Sequence, residues 1–146
     1  MEVHLEIDAG QKPMIIYRAS EDGQATQELF EDLKDLVDRQ KIRIEQDGSY
    51  HYLPVQKIKR IYTENKLVYC ETATERYRLK ERLYQLRAIL PEHRFLQISN
   101  SEIINRFYLK QFDLSKTGMY QVIFTDGQVT YASRRYMQAI KRSFKL

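Results

Sequence analysis

The feature that most constrains the fold of this chain is a pair of Asp-Gly turns, each set between two β-prone runs. One lies in "KIRIEQDGSYHYLPV", with its turn at Asp47–Gly48, and the other in "MYQVIFTDGQVTYAS", with its turn at Asp126–Gly127. Asp-Gly suits a tight hairpin turn because that turn needs positive φ angles, which glycine adopts without steric cost. The sequence therefore predicts two antiparallel hairpins, one near each end of residues 40–146.

The stretch between these hairpins has mainly strand patterns. "IKRIYTENKLVYCETATERYRLK" predicts three short strands, with turns near Glu64–Asn65 and Thr72–Thr74. "FLQISNSEIINRFYLKQFDL" is apolar and β-prone, although its middle also fits a helix. "ERLYQLRAILP" is predicted as a helix that ends at Pro91, with an apolar side made of Leu79, Leu83, Leu86 and Leu90.

A last helix is predicted over "RRYMQAIKRSF", with Ser133 as its N-cap. The residues expected to face the core are Met137, Ile140 and Phe144. Another face carries Arg134, Gln138, Lys141 and Lys145. A helix lying on a membrane surface is the less favoured interpretation, because the apolar stripe is narrow and folding needs it.

Residues 1–39 have a different pattern from the rest of the chain. "VHLEID" and "MIIYRA" predict two strands, and "SEDGQATQELFEDLKDLVDRQ" predicts a helix. The apolar face of that helix would hold Leu29, Phe30, Leu33, Leu36 and Val37. A ββα unit of this size has little core of its own, so we expect it to pack on the rest of the chain, on a second copy or on a partner.

The charge distribution points to a polyanion. The net charge is only +4, but residues 1–39 hold ten acidic and four basic residues, whereas residues 40–146 hold ten acidic and twenty basic ones. From Gly127 onward there are five Lys or Arg residues and no acid. Such asymmetry is typical of nucleic-acid-binding proteins, although a merely basic domain would give it too.

The sequence favours a protein that is not an enzyme and acts in the cytoplasm. It has no Gly-rich phosphate loop and no GxSxG motif, and His4, His51 and His93 lack metal-ligand spacing, so we predict no metal, no cofactor and no small-molecule substrate. Cys70 lies in the apolar run "LVYCET" and is expected to be a buried, inert thiol. No apolar run approaches the roughly 20 residues of a membrane span, and the start of the chain does not look like a signal peptide.

Polar residues suited to reading bases occur in three places: Asn65 and Lys66; Gln97, Ser99, Asn100, Ser101 and Asn105; and Arg134 and Arg135. Arg pairs with guanine, Asn with adenine, and Lys neutralises phosphate. Asn65 is also a plain turn residue, and local hydrogen bonding is expected for at least one of Ser101 and Asn105. Arg134 and Arg135 also fit a plain solvated helix start, but two arginines there oppose the helix dipole, which suggests an external anion or another function.

In this order, the three places resemble the LytTR family of bacterial DNA-binding domains. The resemblance covers roughly residues 40–146. It is carried by the Leu-spaced helix ended by Pro91, by "RFLQISNSEIIN", by the turn at Asp126–Gly127 and by "SRRY" at the start of the last helix.

This resemblance implies a mainly β fold with small helices, of the α+β class. The expected architecture is an elongated sandwich of short antiparallel sheets, to which residues 1–39 add a ββα extension. The core positions implied are Leu79, Leu83, Leu86, Phe95, Ile98, Ile103 and Ile104.

It also implies a DNA-binding site. Loops at one end would enter successive major grooves and read bases through Asn65–Lys66, Ser99–Asn100 and an arginine of the last helix. Arg135 matches the base-reading arginine of one branch of the family and Arg134 the commoner one, so both are expected near DNA. Gln97 belongs to the second loop region, and Lys141 is expected to contact phosphate.

The implied partners follow from the same family. The first is double-stranded DNA, which the protein would bind as a homodimer at paired direct repeats in promoters. The second is an inhibitory membrane protein. Residues 1–39 are too few for a phosphorylated receiver domain, and the chain is similar to the short stand-alone type. We therefore expect residues 1–39 to dimerise the protein or to dock its partner.

Two alternatives to a sequence-specific transcription regulator remain at this point. One is a single-stranded nucleic-acid binder, in which some of the eleven tyrosines stack on bases. The other is a protein-interaction module without DNA function, which would show no salt-dependent binding to duplex DNA.

Overall fold

The computed structural model describes Gly10 and residues 15–37, 40–114 and 118–144 of the chain. The chain divides into two compact units, residues 1–38 and residues 39–146. The helix predicted in the first unit is confirmed as α1, Gln24–Val37, and the Gln27 backbone N–H donates to the Gly23 carbonyl at 3.1 Å in its first turn. Leu29 and Leu33 are half-buried, while Phe30 is exposed and lies under Lys34 Nζ, 4.3 Å from the ring centroid.

The second N-terminal strand is a wrong prediction for the residues that can be checked. Residues 15–19 form no strand, and Ile15 and Ile16 are 57% and 64% exposed. A strand needs a neighbour to satisfy its backbone N–H and C=O groups, and no described residue pairs with this segment. The first predicted strand, at residues 3–8, lies outside the described residues.

The second unit consists mainly of short strands. They are β1 Lys41–Gln46, β2 Ser49–Pro54, β3 Arg60–Glu64, β4 Leu67–Glu71, β5 Arg76–Leu79, β6 Phe95–Ser99, β7 Glu102–Asn105, β8 Leu109–Leu114, β9 Tyr120–Phe124 and β10 Val129–Ala132. Among the described residues of this unit, two helices accompany them, α2 Leu83–Ile89 and α3 Arg134–Phe144, with 3-10 turns at Val55–Lys57 and Arg106–Tyr108.

These strands form three antiparallel sheets. A central sheet has the order β5-β4-β3-β7-β6, a second has the order β10-β9-β8, and β1 pairs with β2. Both Asp-Gly hairpins are present, and Asp47 and Gly48 have φ angles of 51° and 76°. The mainly β fold of antiparallel sheets with small helices is confirmed.

The central sheet is covered on both faces. Phe95 and Ile103 point into a core shared with the β1–β2 hairpin and α2, whereas Leu96 and Ile104 point into a core shared with β9, β10 and α3. Adjacent strand residues face opposite sides, which explains why β7 is apolar at successive positions. The predicted core residues are all buried: Leu79, Leu83, Leu86, Phe95, Ile98, Ile103 and Ile104.

Two details of the strand and helix predictions need correction, and one alternative that was left open is decided. Leu79 is the last residue of β5, opposite Val68, and does not belong to α2, which begins at Leu83. The two leucines are buried in the same core, and their spacing of four residues matches a helical period by coincidence. The β3–β4 turn lies one residue later than expected, at Asn65–Lys66. The middle of residues 95–114 holds strands and one 3-10 turn but no α-helix.

The α3 prediction is confirmed for the described side chains. Met137 and Ile140 are buried, while Arg134, Gln138 and Lys141 are exposed. The Ser133 hydroxyl accepts from the Tyr136 backbone N–H at 3.4 Å, as an N-cap does. The side chains of Phe144 and Lys145 lie outside the described residues.

Two interior polar residues also match their expected structural roles. Asn105 is fully buried; its Nδ2 donates to the Ile58 carbonyl at 2.8 Å and its Oδ1 accepts from the Phe107 N–H at 3.0 Å, so local hydrogen bonding accounts for it. Cys70 is buried as predicted, and burial raises the pKa of its thiol to about 12.

Candidate nucleic-acid interface

The pairing of β3 with β7 brings two of the three predicted loops together. Tyr62 pairs with Glu102, so the Asn65–Lys66 turn after β3 and the turn before β7 extend from the same end of the central sheet. The Thr63 backbone N–H donates to the Ser101 carbonyl at 2.9 Å, which ties the two turns to each other. The side-by-side placement is therefore a result of sheet topology.

The start of α3 joins the same end. The Ser133 backbone N–H donates to the Ile98 carbonyl at 2.9 Å, and the Tyr136 hydroxyl donates to Asn100 Oδ1 at 2.9 Å. Met137 and Ile140 anchor the helix in the core below. The structure thus collects Asn65–Lys66, Ser99–Asn100 and Arg134–Arg135 on one edge of the unit.

The β3–β4 turn has an unusual backbone for its sequence. Asn65 and Lys66 have φ angles of 50° and 65°, the pattern of a type I′ turn. Asn tolerates this region, but the second position strongly favours Gly, and Lys there carries a steric cost of about 1–2 kcal/mol. Both side chains are exposed. The turn therefore holds a cation at a position where stability favours glycine.

In the β6–β7 turn, most polar groups bind the turn itself. Ser99 Oγ accepts from the Ser101 N–H at 3.2 Å, and Gln97 Nε2 donates to the Ser99 carbonyl at 3.1 Å. Gln97 and Ser99 are half-buried, whereas Asn100 is exposed at the apex. Asn100 and Ser101 are the exposed residues of this segment, but Ser101 is bonded to Ser99, so Asn100 is the better placed to meet a ligand, and Gln97 and Ser99 shape the loop.

The two arginines of α3 differ in their surroundings. Arg134 Nε donates to the Gly118 carbonyl at 2.8 Å, and a Cβ at residue 118 would lie 1.9 Å from its guanidinium. Gly118 has φ +82°, so glycine suits both the backbone and the close approach. Arg135 is exposed, with its guanidinium 5.8 Å from the Tyr136 ring centroid.

Lys141 lies apart from the three loops. It is exposed and sits about 10 Å along the axis of α3 from the two arginines, given a rise of about 1.5 Å per residue. Its Nζ donates to the Tyr120 hydroxyl at 2.6 Å and lies 4.7 Å from that ring centroid. The structure does not bring Lys141 into the cluster, but places it on the same helix further from the edge.

Two acids beside this edge, one ending β3 and one starting β7, are paired with cations of the same sheet. Glu64 Oε2 lies 3.0 Å from Arg76, and Glu102 lies 3.5 Å from Arg60 and accepts from Thr130 Oγ1 at 2.7 Å. Burial is the main cause that raises the pKa of Glu102. These pairings leave the positive field of Lys66, Arg134 and Arg135 at the edge, as an anion-binding surface requires.

Sequence reasoning missed the residues that hold the candidate side chains. Tyr136 contacts Asn100 and Arg135, Tyr120 contacts Lys141, and Gly118 contacts Arg134. The only local signal was the position of Tyr136, three residues after Ser133 in the first turn of α3.

A family model, described as the LytTr DNA-binding domain, matches residues 48–145. The chain belongs to the LytTR family of DNA-binding domains. This LytTR match begins at the tip of the β1–β2 hairpin and includes all three loops. The family is one of DNA-binding domains.

Individual relatives agree with this membership. An uncharacterised HTH-type transcriptional regulator of Staphylococcus aureus strain NCTC 8325 / PS 47 is 35% identical over 100 residues, which cover 68% of this chain and 67% of the relative. A similarly described protein of the bovine strain RF122 / ET3-1 is 33% identical over the same length and the same shares.

A solved LytTr DNA-binding domain, from a Bacillus cereus protein described as a methyl-accepting/DNA response regulator, superposes with a TM-score of 0.67. It shares 15% identity, covering 73% of this chain and 97% of the solved one, and so confirms the LytTR fold. Among the described residues, none of the helices has the length and apolar character to cross a membrane.

Proposed function

We propose that this protein is a bacterial transcription regulator that recognises specific duplex DNA sequences through loops in the major groove. The observation that carries the proposal is the convergence of three polar segments at one edge, tied by the Thr63–Ser101 and Tyr136–Asn100 hydrogen bonds. Membership of a DNA-binding family and the transcriptional-regulator names of its relatives support it.

Within this edge, the side chains divide into base readers and phosphate contacts. Asn100 and Arg135 are exposed and point from a turn and a helix start, so they are the proposed base readers, with Asn65 beside them. Each good bidentate pair discriminates by about 1–3 kcal/mol. Arg134 is already bonded to Gly118, so we assign it, with Lys66 and Lys141, to phosphate.

The proposed assembly is a cytoplasmic homodimer on paired direct repeats. Two copies reading one face of B-DNA would place their half-sites about 10–10.5 base pairs apart, or a multiple of that spacing. We assign dimerisation or the docking of an inhibitory membrane protein to residues 1–39. The exposed side chains of Ile15, Ile16 and Phe30 in this otherwise acidic segment support that role.

Selection from a random duplex library tests the function. The full-length protein should enrich one motif, present twice in direct repeat, and Asn100→Ala should lose preference at defined positions of that motif. Lys110→Ala removes an exposed charge from β8 and serves as the control, which should select the wild-type motif. Failure of the wild type to enrich any motif would contradict the proposal.

Deleting residues 1–39 tests the assembly separately. The truncated protein should bind a single half-site and lose the preference for paired repeats, as measured by sedimentation of the protein–DNA complex. Unchanged assembly, partner binding and affinity for the paired site would contradict the role of this segment.

A further inference from the structure

Tyr136 lies beside two of the side chains proposed to read bases, Asn100 and Arg135. Its hydroxyl donates to Asn100 Oδ1 at 2.9 Å, across 36 residues of sequence, and its ring lies 5.8 Å from the Arg135 guanidinium. We propose that Tyr136 is a specificity-determining positioning residue that couples Asn100 and Arg135 into one reading unit. This inference rests on the proposed recognition of duplex DNA.

The hydroxyl holds the Asn100 amide with its oxygen toward Tyr136. An asparagine reads adenine with its oxygen as acceptor and its NH₂ as donor, so a flipped amide presents the wrong pattern. When the Tyr136 O–H donates to Oδ1, one lone pair of Oδ1 and both Nδ2 protons stay available to a base. Asn100 is exposed at the apex of a turn, where its terminal torsion would otherwise be broad.

The ring acts on Arg135 in a different way. A guanidinium within about 6 Å of an aromatic centroid is attracted by the negative face of the ring. Arg135 has a long side chain that is exposed to water. Its contact with the ring of the next residue, Tyr136, restricts the conformations of that side chain. Restricting the side chain before binding lowers the ordering cost when it meets a guanine.

Tyr136 is itself well fixed, which a positioning residue requires. Its backbone N–H donates to Ser133 Oγ at 3.4 Å in the first turn of α3, and its neighbour Met137 is buried in the core. The Ser133 N–H is bonded to β6 through Ile98. The backbone that carries the Tyr136 ring is therefore held by the framework of α3 and β6, independently of the exposed turn.

The experiment uses full-length protein, the duplex that the wild type selects and a shuffled duplex. Tyr136→Phe removes the hydroxyl and keeps the ring, Tyr136→Leu removes both, and each is also made in an Asn100→Ala background. Tyr84→Phe is the matched control, since Tyr84 is an exposed tyrosine on α2. Dissociation constants, single-base variants of the duplex and melting temperatures are measured for each protein.

Tyr136→Phe should weaken binding to the selected duplex by about three- to tenfold, the loss of one hydrogen bond, without changing the shuffled duplex. The loss should fall at the base pairs that Asn100→Ala affects and should vanish in the Asn100→Ala background. Tyr136→Leu should in addition weaken discrimination at the base pairs that Arg135→Ala affects. Tyr84→Phe should match the wild type.

Equal binding by Tyr136→Phe and wild type, or a loss that persists in full in the Asn100→Ala background, would overturn the positioning role. A fall in melting temperature with equal losses on both duplexes would overturn it too, because that pattern indicates a purely structural residue. A wild type without preference for any duplex would instead overturn the proposed function on which the inference rests.

Discussion

Lys59 Nζ lies 2.6 Å from Asp126 Oδ2, although the Lys59 side chain is only 3% exposed and the two residues are 67 positions apart. The ammonium also lies 3.6 Å from Glu71 and 4.7 Å from the Phe124 ring centroid, so its charge is compensated on several sides. The contact joins the start of the central sheet to the β9–β10 turn. It therefore helps hold in place the sheet that precedes α3 and its arginines.

We expect Asp126→Asn to lower the free energy of unfolding by about 1–2 kcal/mol, because the ammonium loses its nearest carboxylate. This loss of stability lies at the low end of the range for breaking a buried ion pair, because the Asp126 side chain is 52% exposed. Urea denaturation measures it. Asp47→Asn, in the other Asp-Gly turn, is the control and should change stability by less than about 0.5 kcal/mol. Equal effects of the two substitutions would contradict the role of the Lys59 contact.

The Lys59–Asp126 contact should make the free energy of unfolding depend on pH. The hydrogen bond from Lys59, with one from the Gln128 backbone, lowers the pKa of Asp126 below its usual value. A lowered carboxyl pKa adds stability that is present above the ordinary pKa of about 3.9 and is lost as pH falls through the folded-state value. The stability difference between wild type and Asp126→Asn should therefore be constant near neutral pH and shrink below about pH 4. A constant difference down to strongly acidic pH would contradict this.

Lys66→Gly should raise the stability of the fold while it weakens the binding of duplex DNA. Glycine relieves the cost of positive φ at residue 66 but raises the entropy of the unfolded chain, so we expect a net gain of about 0.5–1 kcal/mol. The same change removes a cation from the edge and should weaken duplex binding. Lys66→Ala removes the cation without relieving the backbone, so it should weaken binding equally and not stabilise the fold. A Lys66→Gly protein that binds duplex DNA as well as wild type would show that Lys66 makes no contribution to DNA binding.

Cys70 should be inert in the folded protein. It is fully buried, and burial raises its thiol pKa to about 12, so the reactive thiolate is scarce near pH 8. Iodoacetamide at that pH should leave native protein unmodified by intact mass and should label it once in concentrated guanidinium chloride. Rapid labelling of the native protein would contradict its placement in the core.

The two arginines of α3 should give different binding defects. Arg135→Ala should cost about 1–3 kcal/mol on the selected duplex and little on a shuffled one, the pattern of a lost base contact. Arg134→Ala should weaken both duplexes and reduce the salt slope by about one, the pattern of a lost phosphate contact. Anisotropy titrations on both duplexes at several salt concentrations distinguish the two. An unchanged preference in Arg135→Ala, with only a smaller salt slope, would show that Arg135 contacts phosphate alone.

Features determined by neighbouring residues could be predicted from the sequence. The turns at Asp47–Gly48 and Asp126–Gly127, and the Ser133 N-cap, depend on backbone preferences of a few consecutive residues. Local patterns gave a wrong prediction where the same spacing of apolar residues fits both a strand and a helix. Leu79 fits the period of the following helix, yet strand pairing with Val68 places it in β5.

Contacts between distant residues could not be predicted in this way. The Lys59–Asp126, Tyr136–Asn100 and Arg134–Gly118 hydrogen bonds join residues 67, 36 and 16 positions apart. No sequence period relates such pairs, because the stacking of sheets and helix brings them together. The candidate loops were therefore predictable as a set through the family resemblance, whereas the residues that orient them were not.

The most direct measurement is fluorescence anisotropy of the purified protein against duplex DNA from its own upstream region, beside a shuffled duplex, at two salt concentrations. We expect tighter binding to the native duplex, a preference that survives the higher salt, and no comparable affinity for single-stranded DNA or RNA of the same sequence. Equal binding to both duplexes that collapses with salt, or no binding at low salt, would contradict sequence-specific regulation by this edge.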